Sequence, residues 1–184
     1  FLGKTSVLAK DTPAFIGNRI GIFGIMSLFH QIKNGEFSIE EVDTLTGPAI
    51  GRPKSATFRT ADIAGLDTMC HVANGVFDKC LNDESRNVFK LPEFLNKMLN
   101  KNMLGSKTNQ GFYKKTKDKN GKTKILSLDL KTFNYNDQKK VKYETLSIAR
   151  KCKKRDEKFK ILINGNDKAS EFYRENFARM FGYV

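Results

Sequence analysis

Apolar residues recur at helical spacing along most of the chain. Between residues 13 and 33 they step by three and four positions, and the apolar stripe is wide enough to indicate a helix central to a core. Asp11-Thr12-Pro13 is a typical start signal, because Asp or Thr caps a helix and Pro suits its first position. Gly17, Gly21 and Gly24 lie one turn apart inside this segment, which predicts close approach of another backbone, or of a ligand, along that face.

The rest of the chain contains shorter periodic segments and one change of period. Ser38 and Glu41 form a capping box that opens a short helix before Gly47-Pro48. Asn120-Gly121 lies between two extended runs, residues 111–115 and 123–128, which predicts a β-hairpin. Further helices are predicted over residues 58–81 (interrupted near 65–67), 91–101, 137–160 and 167–184. The sequence therefore predicts an all-α fold with a small β-hairpin appendage.

The composition is that of a globular chain. Of its 184 residues, 39% are apolar and 29% are charged, so a sizeable core can be buried. No apolar run reaches the ~18 residues of a membrane helix, and residues 1–4 lack the pattern of a signal peptide. Two histidines and three cysteines without a CxxC pair are too few ligands for a structural zinc site. The odd cysteine number favours a reducing, cytoplasmic location over a disulfide-stapled secreted fold.

Nearly all of the net charge of +13 lies in one stretch. Residues 107–160 carry 18 Lys and Arg against 6 Asp and Glu, whereas residues 1–106 are almost neutral. Three interpretations are open for this stretch: a solvated lysine-rich face, contact with a phosphorylated small ligand, or binding of nucleic acid. We expect the first, because the lysines are spread over the predicted hairpin and helix alike.

The candidate chemistry of the chain is sparse. Gly17, Gly21 and Gly24 lie within a helix and do not follow a strand, so they form no dinucleotide fingerprint, and the sequence has no G-x-x-x-x-G-K-[ST] loop. Cys70 and His71 are neighbours on a helix and point about 100° apart, which indicates a buried thiol beside a helix histidine and not a catalytic pair. Asn18 lies on the apolar stripe near the helix start. Its amide either faces solvent, as the spacing favours, or holds a hydrogen bond inside a groove.

Residues 10–20 resemble the segment K-D-T-P-G-F-I-x-N-R-[IL] that opens the C-terminal domain of L-3-hydroxyacyl-CoA dehydrogenases. Here the segment reads Lys10-Asp11-Thr12-Pro13-Ala14-Phe15-Ile16-Gly17-Asn18-Arg19-Ile20. The likeness continues in order through residues 41–43, 46–47, 51–53 and 62–68. It ends with Gly105-Ser106-Lys107 and Gly111-Phe112-Tyr113, which are similar to the family's G-x-K-x-x-x-G-F-Y. Residues 161–184 more loosely resemble the start of the second, degenerate copy of this domain found in long members.

The resemblance implies a fold and an activity. The fold is the helical C-terminal domain of the 3-hydroxyacyl-CoA dehydrogenase and 6-phosphogluconate dehydrogenase type. Members of the family oxidise a 3-hydroxyacyl-CoA to the 3-ketoacyl-CoA in fatty-acid β-oxidation. They pass the hydride to NAD, which a preceding Rossmann domain holds together with a catalytic His–Glu pair. NAD is therefore expected as the cofactor of the missing domain and not of this chain.

The resemblance also implies site residues. Asn18 is expected to be the catalytic residue of this domain and to contact the substrate oxygen or the catalytic His of the preceding domain. Lys54 and Ser55 lie in the loop that would line the acyl pocket, and we expect them to bind substrate as well. Arg52, Lys54 or Arg59 would meet either a CoA phosphate or solvent. The loop is one residue longer than the common P-[ML]-G-P-[FA] pattern and lacks its Gly-Pro pair, so it does not indicate an acyl-chain length.

Domain boundaries and partners follow from the same resemblance. Residues 1–115 are expected to form the C-terminal helical domain, residues 116–160 a basic hairpin and helix linker, and residues 161–184 the beginning of a second, truncated repeat. Expected partners are an acyl-CoA, the upstream Rossmann domain, a downstream enoyl-CoA hydratase-like domain as in some long members, and a second copy or an internal pseudo-dimer. No nucleic-acid partner is expected.

The predicted helix runs to the last residue, so we expect the chain to be a piece of a longer protein, inactive by itself. Two alternatives from other functional classes remain open. One is a purely structural helical dimerisation module, and the other is a basic nucleic-acid-binding module.

Overall fold

The computed structural model describes residues 3–32 and 35–184, which form eight α-helices and a three-stranded antiparallel sheet. This architecture confirms the predicted helical class with its small β appendage. The elements, in chain order, are α1 (Gly17–Ile32), α2 (Ile39–Thr46), α3 (Phe58–Ala64), α4 (Leu66–Lys79), α5 (Glu93–Asn100), β1 (Tyr113–Lys117), β2 (Thr123–Leu128), β3 (Tyr135–Asp137), α6 (Glu144–Lys151), α7 (Arg155–Asn164) and α8 (Lys168–Tyr183). No helix among these residues is long and apolar enough to cross a membrane.

Helix α1 is central to the core, as its wide apolar stripe predicts. Phe29 is fully buried, and its ring centroid lies 5.4 Å from that of Phe58 and 5.5 Å from that of Phe112. On another side of α1, the ring of Phe23 stacks on Tyr183 of α8 at 3.7 Å. Aromatic pairs of this kind contribute about 0.5–1.5 kcal/mol each beyond the area they bury. The core therefore holds α1 between the α3–β1 region and α8.

Helix α1 begins four residues later than predicted. The predicted start was Pro13, but Ala14 and Phe15 have positive φ angles of 64° and 46°, so a turn precedes the helix at Gly17. The turn is closed by the Phe15 N–H, which donates to the carbonyl of Thr12 at 3.0 Å. The predicted end at Lys33 lies outside the described residues.

The prediction that another backbone approaches the glycines of α1 is wrong at all three positions, whereas the alternative of a ligand along that face stays a prediction. A Cβ at Gly17 or Gly21 would meet no atom within 4 Å. At Gly24, a Cβ would lie 3.2 Å from the sulfur of Met180 in α8, so a side chain and not a backbone approaches there. Gly17 and Gly21 therefore leave an open face of α1.

The β-hairpin is confirmed and has a third strand that the sequence pattern did not predict. Strand β1 pairs with β2 from Tyr113 opposite Ser127 to Lys117 opposite Thr123. In the turn between them, the Asp118 carboxylate accepts the N–H of Asn120 at 2.9 Å. Strand β3 then pairs antiparallel with the end of β2.

The single helix predicted over residues 137–160 is wrong. Residue 137 belongs to β3, and the helical part is split into α6 and α7, which pack on each other. Cys152 breaks the helix with an extended backbone, φ −82° and ψ 126°. The break allows Leu146 of α6 and Leu162 of α7 to be buried together, which one straight helix of this sparse apolar pattern could not achieve.

Helix α8, predicted over 167–184, is confirmed and belongs to the same core as α1. Phe172 and Tyr173 are buried, and the Tyr173 hydroxyl donates to the carbonyl of Leu45 at 2.8 Å. The division into residues 1–115, 116–160 and 161–184 stays a prediction.

Candidate functional site

The first turn of α1 carries Asn18, the residue that the resemblance singles out. Asn18 is exposed, and the neighbouring Phe15 and Ile16 are 56% and 45% exposed. Val7 and Leu8 in the preceding extended segment are 73% and 101% exposed. Contiguous exposed apolar groups of this size are typical of interaction surfaces. We call these five residues the α1 surface.

A hollow of about 390 Å³ adjoins the α1 surface. Its floor is the first turn of α1 and its far wall is the end of α8. Among the residues that line it are Leu8, Phe15, Ile16, Arg19, Tyr183 and Val184. Apolar side chains thus form much of the hollow, and three charged residues, Lys10, Arg19 and Glu84, also line it.

The guanidinium of Arg19 belongs to a polar cluster that fixes the first turn of α1. Arg19 Nε donates to Asp83 Oδ2 at 3.0 Å and to the Tyr183 hydroxyl at 2.9 Å, and this hydroxyl donates to Asp83 Oδ2 at 2.8 Å. Burial opposes the ionisation of Asp83, but the hydrogen bonds from Arg19, Tyr183 and the Ser85 N–H hold its pKa below the ordinary value. The cluster therefore ties α1, the loop after α4 and α8 together beside Asn18.

The loop that carries Lys54 and Ser55 is held by Asp43 of α2. The Asp43 carboxylate accepts the N–H of Thr57 at 3.0 Å and of Phe58 at 2.7 Å, and it accepts the Tyr113 hydroxyl at 2.7 Å. These contacts satisfy orphan N–H groups at the start of α3 and place a negative charge at its positive end. Burial nevertheless raises the pKa of Asp43.

Lys54 lines one cavity, whereas Asn18 belongs to the helix turn that borders another. Ser55 is half-buried, and its Oγ accepts a hydrogen bond from the Thr60 hydroxyl at 2.9 Å. Lys54 is exposed and lines a basin of about 850 Å³ together with Asp43 and Tyr113. Asn18 lies instead beside the hollow at the start of α1. The assignment of Asn18, Lys54 and Ser55 to one substrate site stays a prediction.

The remaining candidates have structural roles. Cys70 is buried, and burial raises its pKa to about 12, whereas His71 is exposed. The predicted buried thiol is therefore confirmed. His30 Nε2 lies 3.0 Å from the carbonyl oxygen of Val88 and 2.9 Å from that of Lys90. Across the described part of the chain, no group of three His, Cys, Asp or Glu is placed to hold a metal ion.

Comparison with known proteins identifies the domain. Residues 15–115, more than half of the chain, match the model of the 3-hydroxyacyl-CoA dehydrogenase C-terminal domain. The chain belongs to this family. The matched region of the 3-hydroxyacyl-CoA dehydrogenase domain contains Asn18, the Asp43-held loop and the Gly111-Phe112-Tyr113 segment.

Individual relatives align with more of the chain than the 3-hydroxyacyl-CoA dehydrogenase family model does. A Bacillus subtilis protein named "Probable 3-hydroxyacyl-CoA dehydrogenase" is 49% identical over 91% of the chain, which spans 20% of that protein. A Rickettsia prowazekii protein, named as a candidate trifunctional enzyme of a fatty acid oxidation complex, is 23% identical over 100% of the chain and 24% of its own length. The chain thus spans a quarter or less of these two relatives.

A solved structure shows the same fold for the 3-hydroxyacyl-CoA dehydrogenase domain. The crystal structure of (S)-3-hydroxybutyryl-CoA dehydrogenase from Ralstonia eutropha superposes with a TM-score of 0.52 at 28% identity. The match covers 59% of this chain and 37% of that one.

Two features of the site could not be predicted from the sequence. Arg19 lies 64 positions from Asp83 and 164 from Tyr183, so no local spacing links them. The basin around Lys54 also collects residues from distant segments. The N-R dipeptide at positions 18 and 19 was the one signal that could have directed attention to Arg19.

Proposed function

We propose that this chain is the domain that closes over the bound substrate in an L-3-hydroxyacyl-CoA dehydrogenase of fatty-acid β-oxidation. The complete enzyme would oxidise the 3-hydroxyl group of an acyl-CoA to a ketone and transfer the hydride to NAD. Gly17, Gly21 and Gly24 lie within α1, and no strand precedes this helix among the described residues, so these glycines do not form the strand–turn–helix loop that holds a dinucleotide pyrophosphate. We therefore assign NAD and the catalytic base to a separate Rossmann domain.

The main observation that supports this proposal is the α1 surface. Asn18 is exposed, and the exposed apolar side chains of Phe15 and Ile16 precede it by three and two positions at the start of α1. In water, this arrangement leaves apolar area uncovered at a cost of about 25 cal/mol per Å², so a partner surface that covers it would be stabilised. A Rossmann domain docked there would bring its cofactor next to the Asn18 amide.

Asn18 would act as a neutral orienting group. Its side-chain NH₂ can donate a hydrogen bond to the oxygen that changes from hydroxyl to ketone, and its carbonyl oxygen can accept a hydrogen bond from a neighbouring group. A neutral amide can position this oxygen without adding a charge that would shift the pKa of the base. The cluster of Arg19, Asp83 and Tyr183 would keep the helix turn, and with it the amide, in place.

The proposed surroundings of the domain follow from its relatives. The long relatives leave room for a Rossmann domain, and the name of the Rickettsia protein is that of an enzyme with several activities. We propose an enoyl-CoA hydratase-like domain as a further partner in the complete protein. Packing of α8 on α1 supports an internal pseudo-dimer of helical repeats.

The test is a comparison of Asn18→Ala with Asn96→Ala in the complete protein that contains this chain. Asn96 is a matched control because it is an exposed asparagine on a helix, α5. We expect kcat/KM for NADH formation from 3-hydroxyacyl-CoA to fall about 10²-fold in the first variant only, as for loss of a positioned polar group. Equal activity of the two variants would support the structural dimerisation module and contradict the proposal.

A further inference from the structure

Seven cationic side chains converge on one concave surface, which we call the basic basin. It is the cavity of about 850 Å³ beside Asp43 and Tyr113. The cations come from the loop before α3, from α3, from the segment after β3, from α6 and from α7, so their convergence is a product of the fold and not of one lysine run. They are Lys54, Arg59, Lys139, Lys140, Lys142, Arg150 and Lys158.

None of these seven cations forms an ion pair within 4.0 Å in the described part of the chain. The ion pairs there involve other basic residues: Arg19, Lys107, Lys124, Lys154, Lys168 and Arg179. The basin contains two carboxylates, Glu40 and Asp43, against its seven cations. An anion that enters the basin therefore meets a clear excess of positive charge.

Hydrogen bonds already occupy both carboxylates. Glu40 Oε1 accepts the Ser127 hydroxyl at 2.5 Å and the Lys139 N–H at 3.2 Å. Asp43 accepts three backbone N–H groups and the Tyr113 hydroxyl. Glu40 Oε1 and both Asp43 oxygens therefore already accept hydrogen bonds from the protein. Concave basic walls concentrate positive potential and attract anions.

We propose that the basic basin binds a small molecule that carries two or more phosphate groups. Its volume lies within the ~300–1,000 Å³ typical of small-ligand pockets. Several convergent cations suit a multiply charged ligand better than a single carboxylate. Single-stranded nucleic acid is disfavoured, because Tyr113, the only aromatic among the described residues that line the basin, is 8% exposed, so bases lack a stacking platform.

The proposal is independent of the dehydrogenase proposal, since it rests on charge and concavity and not on Asn18. Two kinds of molecule carry phosphate groups in this way. One is a free nucleotide, and the other is a CoA ester, whose nucleotide end carries a 3′-phosphate and a diphosphate. The second would place the CoA nucleotide on this domain.

The experiment is calorimetric titration of this chain with ATP, adenosine 3′,5′-bisphosphate, AMP and an oligonucleotide at low and moderate salt. The variant Lys140→Glu/Lys142→Glu reverses two exposed charges of the basin. The matched control Lys119→Glu/Lys122→Glu makes the same change of net charge at the exposed hairpin turn. Circular dichroism and thermal unfolding would establish that both variants are folded.

We expect ATP or the bisphosphate to bind more tightly than AMP, with Kd raised at least about tenfold by the basin variant and little by the control. Preference for ATP would indicate a free nucleotide, and preference for the 3′,5′-bisphosphate would indicate CoA. Equal weakening by both variants would mean that net charge alone drives binding and would overturn the proposal. Tighter binding of the oligonucleotide, or no phosphate binding at low salt, would overturn it as well.

Discussion

Asp62 of α3 joins the helical part of the domain to the sheet. It is 2% exposed, and its two oxygens accept the N–H groups of Phe112 and Tyr113, each at 2.8 Å. A Cβ on Gly111 would collide with this carboxylate, so glycine permits the approach. Burial, only partly offset by the two hydrogen bonds, raises the pKa of Asp62 to about 6.

This raised pKa makes a prediction about stability. Between about pH 4 and pH 6 the native state binds more protons at Asp62 than the unfolded state does, so the stability falls as the pH rises. The contribution is fully present below about pH 4 and is lost as the pH rises through about 6. Since one pKa unit corresponds to about 1.4 kcal/mol, the change from 3.8 to about 6 is worth about 3 kcal/mol.

The assay is urea unfolding of the unmodified chain and of Asp62→Asn between about pH 4 and pH 7. The amide cannot ionise, so the free energy of unfolding of the unmodified chain, relative to the variant, should decrease by about 3 kcal/mol over this range. Taking the difference removes the opposite pH dependence of Glu41 and Asp83, whose pKa values are lowered. Asp78→Asn, at an exposed position of α4, is the control and should follow the unmodified chain.

A constant difference between the unmodified chain and Asp62→Asn would refute this reasoning. A difference that grows in favour of the unmodified chain as the pH rises would do so as well. The first result would mean that the two N–H groups and burial have equal and opposite effects on the pKa, and the second that the N–H groups stabilise the carboxylate more than burial destabilises it.

Two further stability predictions use the same unfolding assay. Arg19→Met should lower the free energy of unfolding by about 3–5 kcal/mol, because it leaves Asp83 buried without its cation. A loss below ~1 kcal/mol would instead show that solvent reaches this carboxylate. Ser38→Ala should cost about 1 kcal/mol, because the N–H of Glu41 loses its cap at 3.2 Å, and an unchanged midpoint would contradict the role of this capping box.

Local sequence patterns correctly predicted those features of the structure that depend on interactions between residues close together in the chain. The capping box of Ser38 and Glu41 and the hairpin turn at Asn120-Gly121 both involve residues a few positions apart, and both are present. The family motifs also pointed to the helical fold. By contrast, the turn at Ala14 and Phe15, which delays α1, is set by backbone conformation that the start signal at Pro13 did not reveal.

Long-range packing decided what the sequence could not predict. The split between α6 and α7 depends on burial of Leu146 and Leu162 in one core, and periodicity within residues 137–160 does not reveal it. The cluster of Arg19, Asp83 and Tyr183 and the basic basin likewise collect residues from distant segments.

The central claim is that the start of α1 faces the reacting group of an acyl-CoA. The most direct measurement is kcat/KM for 3-hydroxyacyl-CoA in the complete protein, with alanine at position 18 compared with alanine at position 96. The account predicts a loss of about 10²-fold at position 18 with unchanged folding, and activity close to the unmodified protein at position 96. Full activity without the amide of Asn18 would contradict it.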